Sequence, residues 1–176
     1  MTTHQHPDHQ NHGRQHHGHQ HPDHQNPGHQ NPGHQHPHHQ EAASAAVAEL
    51  MQAAMAGADR FGHRQHVLFT WLAVRRYGTS AATGLVCEGI QGVARYAGAP
   101  QKYHLTVSRA WVEIIGHHAA HTSTDDFDTF VARNPELFDK RLLMRFYRSA
   151  TLAGAAARSG WVEPDLAPFP WQDVLP

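Results

Sequence analysis

The sequence predicts an all-α protein: an up-down helical bundle, preceded by a disordered histidine-rich N-terminal tail and followed by an extended proline-rich C-terminal strap. Three observations lead to this fold class. Between residues 41 and 158, apolar side chains recur at the spacing of three or four residues that marks one face of a helix. No alternating apolar and polar run of useful length indicates a strand. Glycines and prolines divide the same stretch into segments of helical length.

The tail is distinguished by its composition, which changes sharply after Gln40. Residues 1–40 contain 14 of the 20 histidines, and after Met1 they contain only Thr, His, Gln, Pro, Asp, Asn, Gly and Arg. A segment with no apolar side chain to bury cannot offset the entropy cost of ordering. We therefore predict two parts, a disordered tail over residues 1–40 and a helical domain over residues 41–176.

The tail is also a pentapeptide repeat, since glutamine occupies every fifth position and the consensus is (His/Asn)-Pro-(Asp/Gly)-His-Gln. Neutral imidazole binds zinc, nickel, cobalt, copper and iron, and a flexible chain can wrap several imidazoles around one ion. The repeat therefore predicts binding of divalent transition metals, without selecting one of them. The predicted tail ligands are His4, His6, His9, His12, His16, His17, His19, His21, His24, His29, His34, His36, His38 and His39.

The first three predicted helices lie in the next 60 residues. An alanine-rich helix spans residues 41–57 and is closed by Gly57. A second helix runs from about Phe61 to Tyr77, with Gly78 as its stop signal. A third helix, capped by Thr79 or Ser80, ends near Gly98, because glycine just beyond an apolar periodic segment is typical of a helix end.

Four further helices and the strap complete the prediction. The fourth helix spans residues 101–121, and a short fifth follows a cap at Ser123 or Thr124. The sequence Asn134-Pro135-Glu136 predicts the start of a sixth helix that reaches about residue 147. A last short helix covers residues 150–158. Four prolines after Trp161 predict an extended end, because proline does not continue a helix.

Three histidines of the helical domain form a candidate metal site. His63 and His66 are three residues apart, so they share one face at the start of the second helix. His104 opens the fourth helix, which begins at the same end of an up-down bundle. Three imidazoles with an open fourth position are typical of a catalytic metal site. We also expect Arg95, Tyr103, Thr106 and Tyr147 to shape a pocket beside this site.

A second group of histidines lies about 20 Å further along the fourth helix, where His117 and His121 are four residues apart and His118 adjoins them. Two histidines at this spacing can hold a metal ion on a helix surface. An exposed helix end, at which the helix dipole favours cationic histidine, predicts the same residues. We favour the exposed helix end.

Two motifs give the helical domain a resemblance to known proteins. Phe61, His63 and His66 match a Phe-x-His-x-x-His motif, and Tyr103, His104 and Thr106 match a Tyr-His-x-Thr motif. On these residues the chain resembles a group of small uncharacterised bacterial helical proteins, from about residue 61 to residue 164. Many members of that group carry a glutamate directly after the Tyr-His pair, where this chain has Leu105. The resemblance implies a shared site at His63, His66 and His104, but no reaction.

Charge and cysteine content exclude several protein classes. The helical domain has 13 Lys and Arg, which is 14 less Arg14, and 13 Asp and Glu, which is 15 less Asp8 and Asp23, so it lacks the basic surplus of a nucleic-acid binder. Cys87 is the only cysteine, which excludes a disulfide framework. No run approaches the roughly 18 apolar residues of a membrane span, and residues 1–40 have no signal-peptide core. We expect a cytoplasmic protein.

These observations favour a transition-metal-binding protein. The tail would sequester or deliver metal ions, and the histidines of the helical domain would provide a second site. One alternative is a small metal-dependent enzyme that uses the three-histidine site on an unknown substrate. Another is a helical interaction domain with an incidental tail. Metal ions are the one class of partner that the sequence identifies.

Overall fold

Leucine, valine and alanine at helical spacing dominate residues 41–158, and a computed structural model of the chain shows helices throughout that stretch. The structure describes residues 37–172, and within that range it contains helices and no strand. The all-α prediction is therefore confirmed. Twelve of the 14 tail histidines, together with the disorder predicted for them, lie outside the described residues.

The first helix, α1 (Pro37–Met55), takes in the last four residues of the pentapeptide repeat, so the boundary predicted at residue 40 falls inside a helix. Its alanine-rich sequence favours helix, because alanine has the highest intrinsic helix propensity. The helix buries Leu50 and Ala54. It ends just before Gly57, whose φ of 72° lies in the left-handed region that favours glycine.

The second helix, α2 (His63–Tyr96), is interrupted at Gly78, where φ is 77° and ψ is 160°. A Cβ atom built on Gly89 would lie 2.5 Å from Cζ of Phe69. Twenty residues of uninterrupted helix would instead separate these positions by about 30 Å. The chain therefore reverses at Gly78, and the two arms, residues 63–77 and 79–96, pack against each other. The two helices predicted on either side of Gly78 correspond to these arms.

The third helix, α3 (Leu105–His121), begins later than expected, because residues Pro100–Lys102 form a 3-10 turn. It lies parallel to the first arm of α2. The His63 and Trp111 rings are in contact near the start of both helices, and Trp71 shares a cavity of about 210 Å³ with Ala119 further along. Apolar side chains of this pair, including Val67, Ile114 and Ile115, build the largest cluster of the core.

The next helix, α4 (Phe127–Arg133), is capped by Asp126, whose side chain accepts a hydrogen bond from the backbone amide of Thr129. The caps predicted at Ser123 or Thr124 are therefore wrong by two or three residues. Asp126 is the better cap, because its carboxylate also faces the positive end of the helix dipole.

The long sixth helix predicted from Asn134 to residue 147 is also wrong. In its place lie two 3-10 turns, Pro135–Phe138 and Leu142–Arg145. The core explains the difference, since Leu137 and Leu142 are both buried. In one α-helix these two residues, five apart, would point about 140° away from each other. Two short turns joined by an exposed connection direct both side chains inward.

Two short helices follow, α5 (Ser149–Ala153) and α6 (Ala155–Ser159), where the sequence predicts one. Residues 160–172 contain no helix, and Phe169 of this segment is fully buried. Hydrogen bonds hold its start against α3: the Thr106 hydroxyl donates to the Gly160 carbonyl (2.7 Å) and accepts from the Val162 amide (3.2 Å). Within residues 37–172, no helix has the length and apolar character needed to cross a membrane.

Replacing Thr106 by Val should lower the free energy of unfolding by about 1–2 kcal/mol, because it removes both hydrogen bonds and leaves the Gly160 carbonyl and the Val162 amide unpaired. Urea denaturation measures this difference. The matched control is Thr83→Val, since the Thr83 hydroxyl bonds only to the Thr79 carbonyl of its own helix. Equal effects of the two substitutions would show that Thr106 does not anchor the C-terminal segment.

Candidate functional site

His63 is the first residue of α2, and its side chain bonds to the 3-10 turn Pro135–Phe138. Its Nε2 hydrogen-bonds to the Leu137 carbonyl (2.9 Å), so this nitrogen must carry the proton. The ring meets Trp111 edge-on, with centroids 5.0 Å apart, and Phe138 at 6.3 Å. Burial lowers the pKa of His63, the hydrogen bond to Leu137 opposes that shift, and the charge of Lys140 adds to it. His63 is therefore a neutral, structural imidazole.

His66 lies one turn further along α2 in an aromatic cage. Its ring centroid is 6.3 Å from that of Phe61, 6.4 Å from that of His63 and 6.4 Å from that of Trp111. Its Nε2 is buried and has no hydrogen-bond partner among the described residues. Burial lowers the pKa of His66 to about 4, and repulsion from the His63 ring when that ring is protonated acts in the same direction. The imidazole is therefore neutral at physiological pH.

His104 has a different role, as the cap of α3. Its Nδ1 accepts a hydrogen bond from the Val107 amide (3.3 Å), and its Nε2 bonds to the Leu152 carbonyl (2.7 Å). A carbonyl oxygen only accepts, so Nε2 carries the proton and Nδ1 holds the lone pair. Both ring nitrogens are thus occupied, and His104 cannot ligate a metal ion without losing its cap.

The structure brings His63 and His66 together but does not add His104 to them. His63 contacts Trp111, which follows His104 by seven residues, or about 10 Å along a helix. The two parallel helices are thus offset along their axes, and His104 lies beyond the level of the other two. Within the described range, no three His, Cys, Asp or Glu residues are grouped so that they could hold a metal ion. The predicted convergence of the three histidines is therefore corrected.

Of the four residues expected to shape a pocket, Thr106 and Tyr147 bond to the backbone of the same residue, Val162. Thr106 and Tyr147 are buried, and both anchor the C-terminal segment, since the Tyr147 hydroxyl donates to the Val162 carbonyl (3.0 Å). Tyr103 hydrogen-bonds to Cys87, and burial is the main cause that raises the pKa of each group. Arg95 is exposed. A pocket shared by all four residues therefore stays a prediction.

Arg95 instead lies at the edge of a groove of about 750 Å³ between α1 and the 79–96 arm of α2, which we call the α1–α2 groove. Its walls are mostly apolar, and Tyr96 at its rim is 97% exposed. The apolar walls include Val47, Met51, Met55, Phe61 and Val93, and charged side chains at the rim include Asp59, Arg60 and Glu88.

The histidines near the end of α3 form a tighter cluster than those at the start of α2. The ring centroids of His117 and His121 are 4.4 Å apart. The indole of Trp171 stacks on His117, with centroids 4.5 Å apart and planes inclined by 19°. Burial, followed by the charges of His121 and His118, lowers the pKa of His117. The spacing of these histidines was visible in the sequence, but the contribution of Trp171, 50 residues later, was not.

Comparison with known proteins returned no match to a protein family, to a curated protein or to a solved structure. The resemblance based on the two histidine motifs therefore stays a prediction, and the site has to be interpreted from its own chemistry.

Proposed function

We propose that this chain is a transition-metal-binding protein whose histidine-rich tail sequesters or delivers divalent ions such as zinc, nickel, cobalt, copper or iron. The observation that carries the proposal is ligand density: 14 histidines in 40 residues that contain no apolar side chain after Met1. Such a tail can stay disordered without metal and fold its imidazoles around ions as they bind.

The chemistry of the helical domain supports this division of roles. His63 and His104 donate hydrogen bonds to backbone carbonyls, and His66 is enclosed by aromatic rings. Two of these imidazoles are held by structural hydrogen bonds and the third is enclosed, so we assign metal capacity mainly to the tail. Residues 160–172 serve in this proposal as an extended strap that closes the helical bundle.

The two alternatives, a metalloenzyme and an interaction domain, have different support. A metalloenzyme built on His63, His66 and His104 needs all three ligands on one ion, and the cap made by His104 opposes that arrangement. A helical interaction domain draws on the α1–α2 groove, but charges of both signs at its rim identify no occupant. We also propose a cytoplasmic location, in keeping with the free thiol of Cys87.

Replacing all 14 tail histidines by Asn in the full chain, which gives the tail-silent chain, should abolish most metal binding. In equilibrium dialysis with Ni²⁺ at pH 7.5, the natural chain should bind several ions and the tail-silent chain at most one. Binding to the natural chain should fall below about pH 6, because a protonated imidazole has no lone pair to offer. Equal numbers of ions on both chains would contradict the proposal.

A further inference from the structure

Two imidazole rings lie in contact in the last turn of α3, with their planes inclined by 43°. His117 and His121 are four residues apart, so they lie one above the other on a single face of the helix. Their ring centroids are 4.4 Å apart. His121 is exposed and His117 is partly buried, so an ion can approach from solvent.

The hydrogen bond of His121 fixes which nitrogen it can offer. Its Nδ1 lies 2.8 Å from the His117 carbonyl oxygen, and that oxygen can only accept, so Nδ1 carries the proton. In a neutral ring the lone pair is then on Nε2. An imidazole that donates its other nitrogen to a backbone carbonyl is the usual state of a metal-ligating histidine, because the bond fixes both tautomer and orientation.

Trp171 positions the other ring of the pair. It stacks on one face of His117, and a ring stacked in this way does not cover the edge of the imidazole, where both nitrogens lie. The stacked indole limits rotation of the His117 ring. Both rings are thus restrained by contacts that leave a nitrogen uncommitted.

His118, between them in sequence, is committed elsewhere. The amide nitrogen of Asn134 donates to the Thr122 hydroxyl and to the Phe130 carbonyl, so its Oδ1 faces Nδ1 of His118 as an acceptor at 2.8 Å. Nε2 of His118 is directed toward Glu136, at 3.6 Å from the carboxylate. The His118 ring stands nearly perpendicular to that of His117, at 81°. His118 is therefore the residue to substitute as a control for the pair.

We propose that His117 and His121 form a two-histidine clip for one divalent transition-metal ion, copper, nickel or zinc. This proposal rests on the proposed function and adds a site on the folded domain to the capacity of the tail. The clip supplies two nitrogen ligands at the usual 2.0–2.1 Å, and the remaining coordination positions are left to water or to another donor. Within residues 37–172, no third His, Cys, Asp or Glu joins the pair in a group that could hold an ion.

The test uses the full-length tail-silent chain, in which the 14 tail histidines no longer compete. Isothermal titration with Ni²⁺ at pH 7.5 should show one site per chain. His121→Ala in the same background should weaken that site at least about tenfold, a loss no smaller than that caused by removing a mere supporting hydrogen bond from a metal ligand. Because His121 is exposed at a helix end, the variant should keep the helical circular dichroism signal.

The matched control is His118→Ala in the tail-silent chain, which should leave nickel affinity within about twofold. In the natural chain, zinc should shift the imidazole resonances of His117 and His121 in nuclear magnetic resonance spectra, and leave those of His66 unchanged. The clip is overturned if the tail-silent chain binds no ion, or if His121→Ala and His118→Ala weaken binding equally. Neither outcome bears on metal binding by the tail, which is tested by the difference in bound metal between the natural and tail-silent chains.

Discussion

Lowering the pH from 7 to 4 is expected to remove about 3 kcal/mol from the free energy of unfolding through His66 alone. Its pKa is about 4 in the folded protein and 6.5 in an unfolded chain. The unfolded state therefore takes up the proton first, and stability falls as the pH drops from 6.5 to 4. The shift of about 2.5 pH units corresponds to about 3 kcal/mol at 1.36 kcal/mol per unit.

Urea denaturation at pH 7 and at pH 4 measures this loss, and His66→Gln is the variant for comparison because it removes the titrating ring. The carboxylates titrate in both proteins, so the difference between their two pH profiles isolates His66. The profile of the variant should be flatter by about 3 kcal/mol. Identical profiles would show that the ring is not enclosed as Phe61 and Trp111 place it.

Local signals in the sequence predicted the turns of this fold well. Gly57, Gly78 and Gly98 were identified as helix ends, and all three have positive φ. Such a conformation is a property of a few adjacent residues, because only glycine adopts it without strain. Helix type and approximate length could therefore be predicted for the first half of the chain.

Relations between helices were not predictable in the same way. The periodicity of each helix indicates which face is buried, but not how far one helix is offset along another. That offset placed Trp111, instead of His104, against His63. The turns around Leu137 and Leu142 show the same limit. Pro135 is a strong helix-start signal, but a continuous α-helix from there would not bury both leucines in the core. Both errors concern long-range packing.

A second large loss of stability is expected from a substitution at the contact between the two arms of α2. Gly89→Ala should lower the free energy of unfolding by about 1–3 kcal/mol, because the new Cβ would lie 2.5 Å from Cζ and 2.8 Å from Cε1 of Phe69. The Phe69 ring is fully buried and cannot move aside without disturbing its neighbours. A Cβ added at Gly84, in the same arm, meets nothing within 4 Å. Gly84→Ala should therefore stabilise the protein by about 0.5–1 kcal/mol, through helix propensity alone.

Both substitutions gain the same helix propensity, so the difference between them, about 1.5–4 kcal/mol, reports the clash with Phe69. Chemical denaturation of the two variants and the natural chain measures it. Phe69→Leu supplies the second half of a double-mutant cycle: it costs stability by itself, but it should relieve part of the loss caused by Gly89→Ala. If Gly89→Ala proved as stabilising as Gly84→Ala, the arms could not pack face to face. The chain would then not reverse at Gly78. The positions of α1, of Gly89 and of the α1–α2 groove all depend on that reversal.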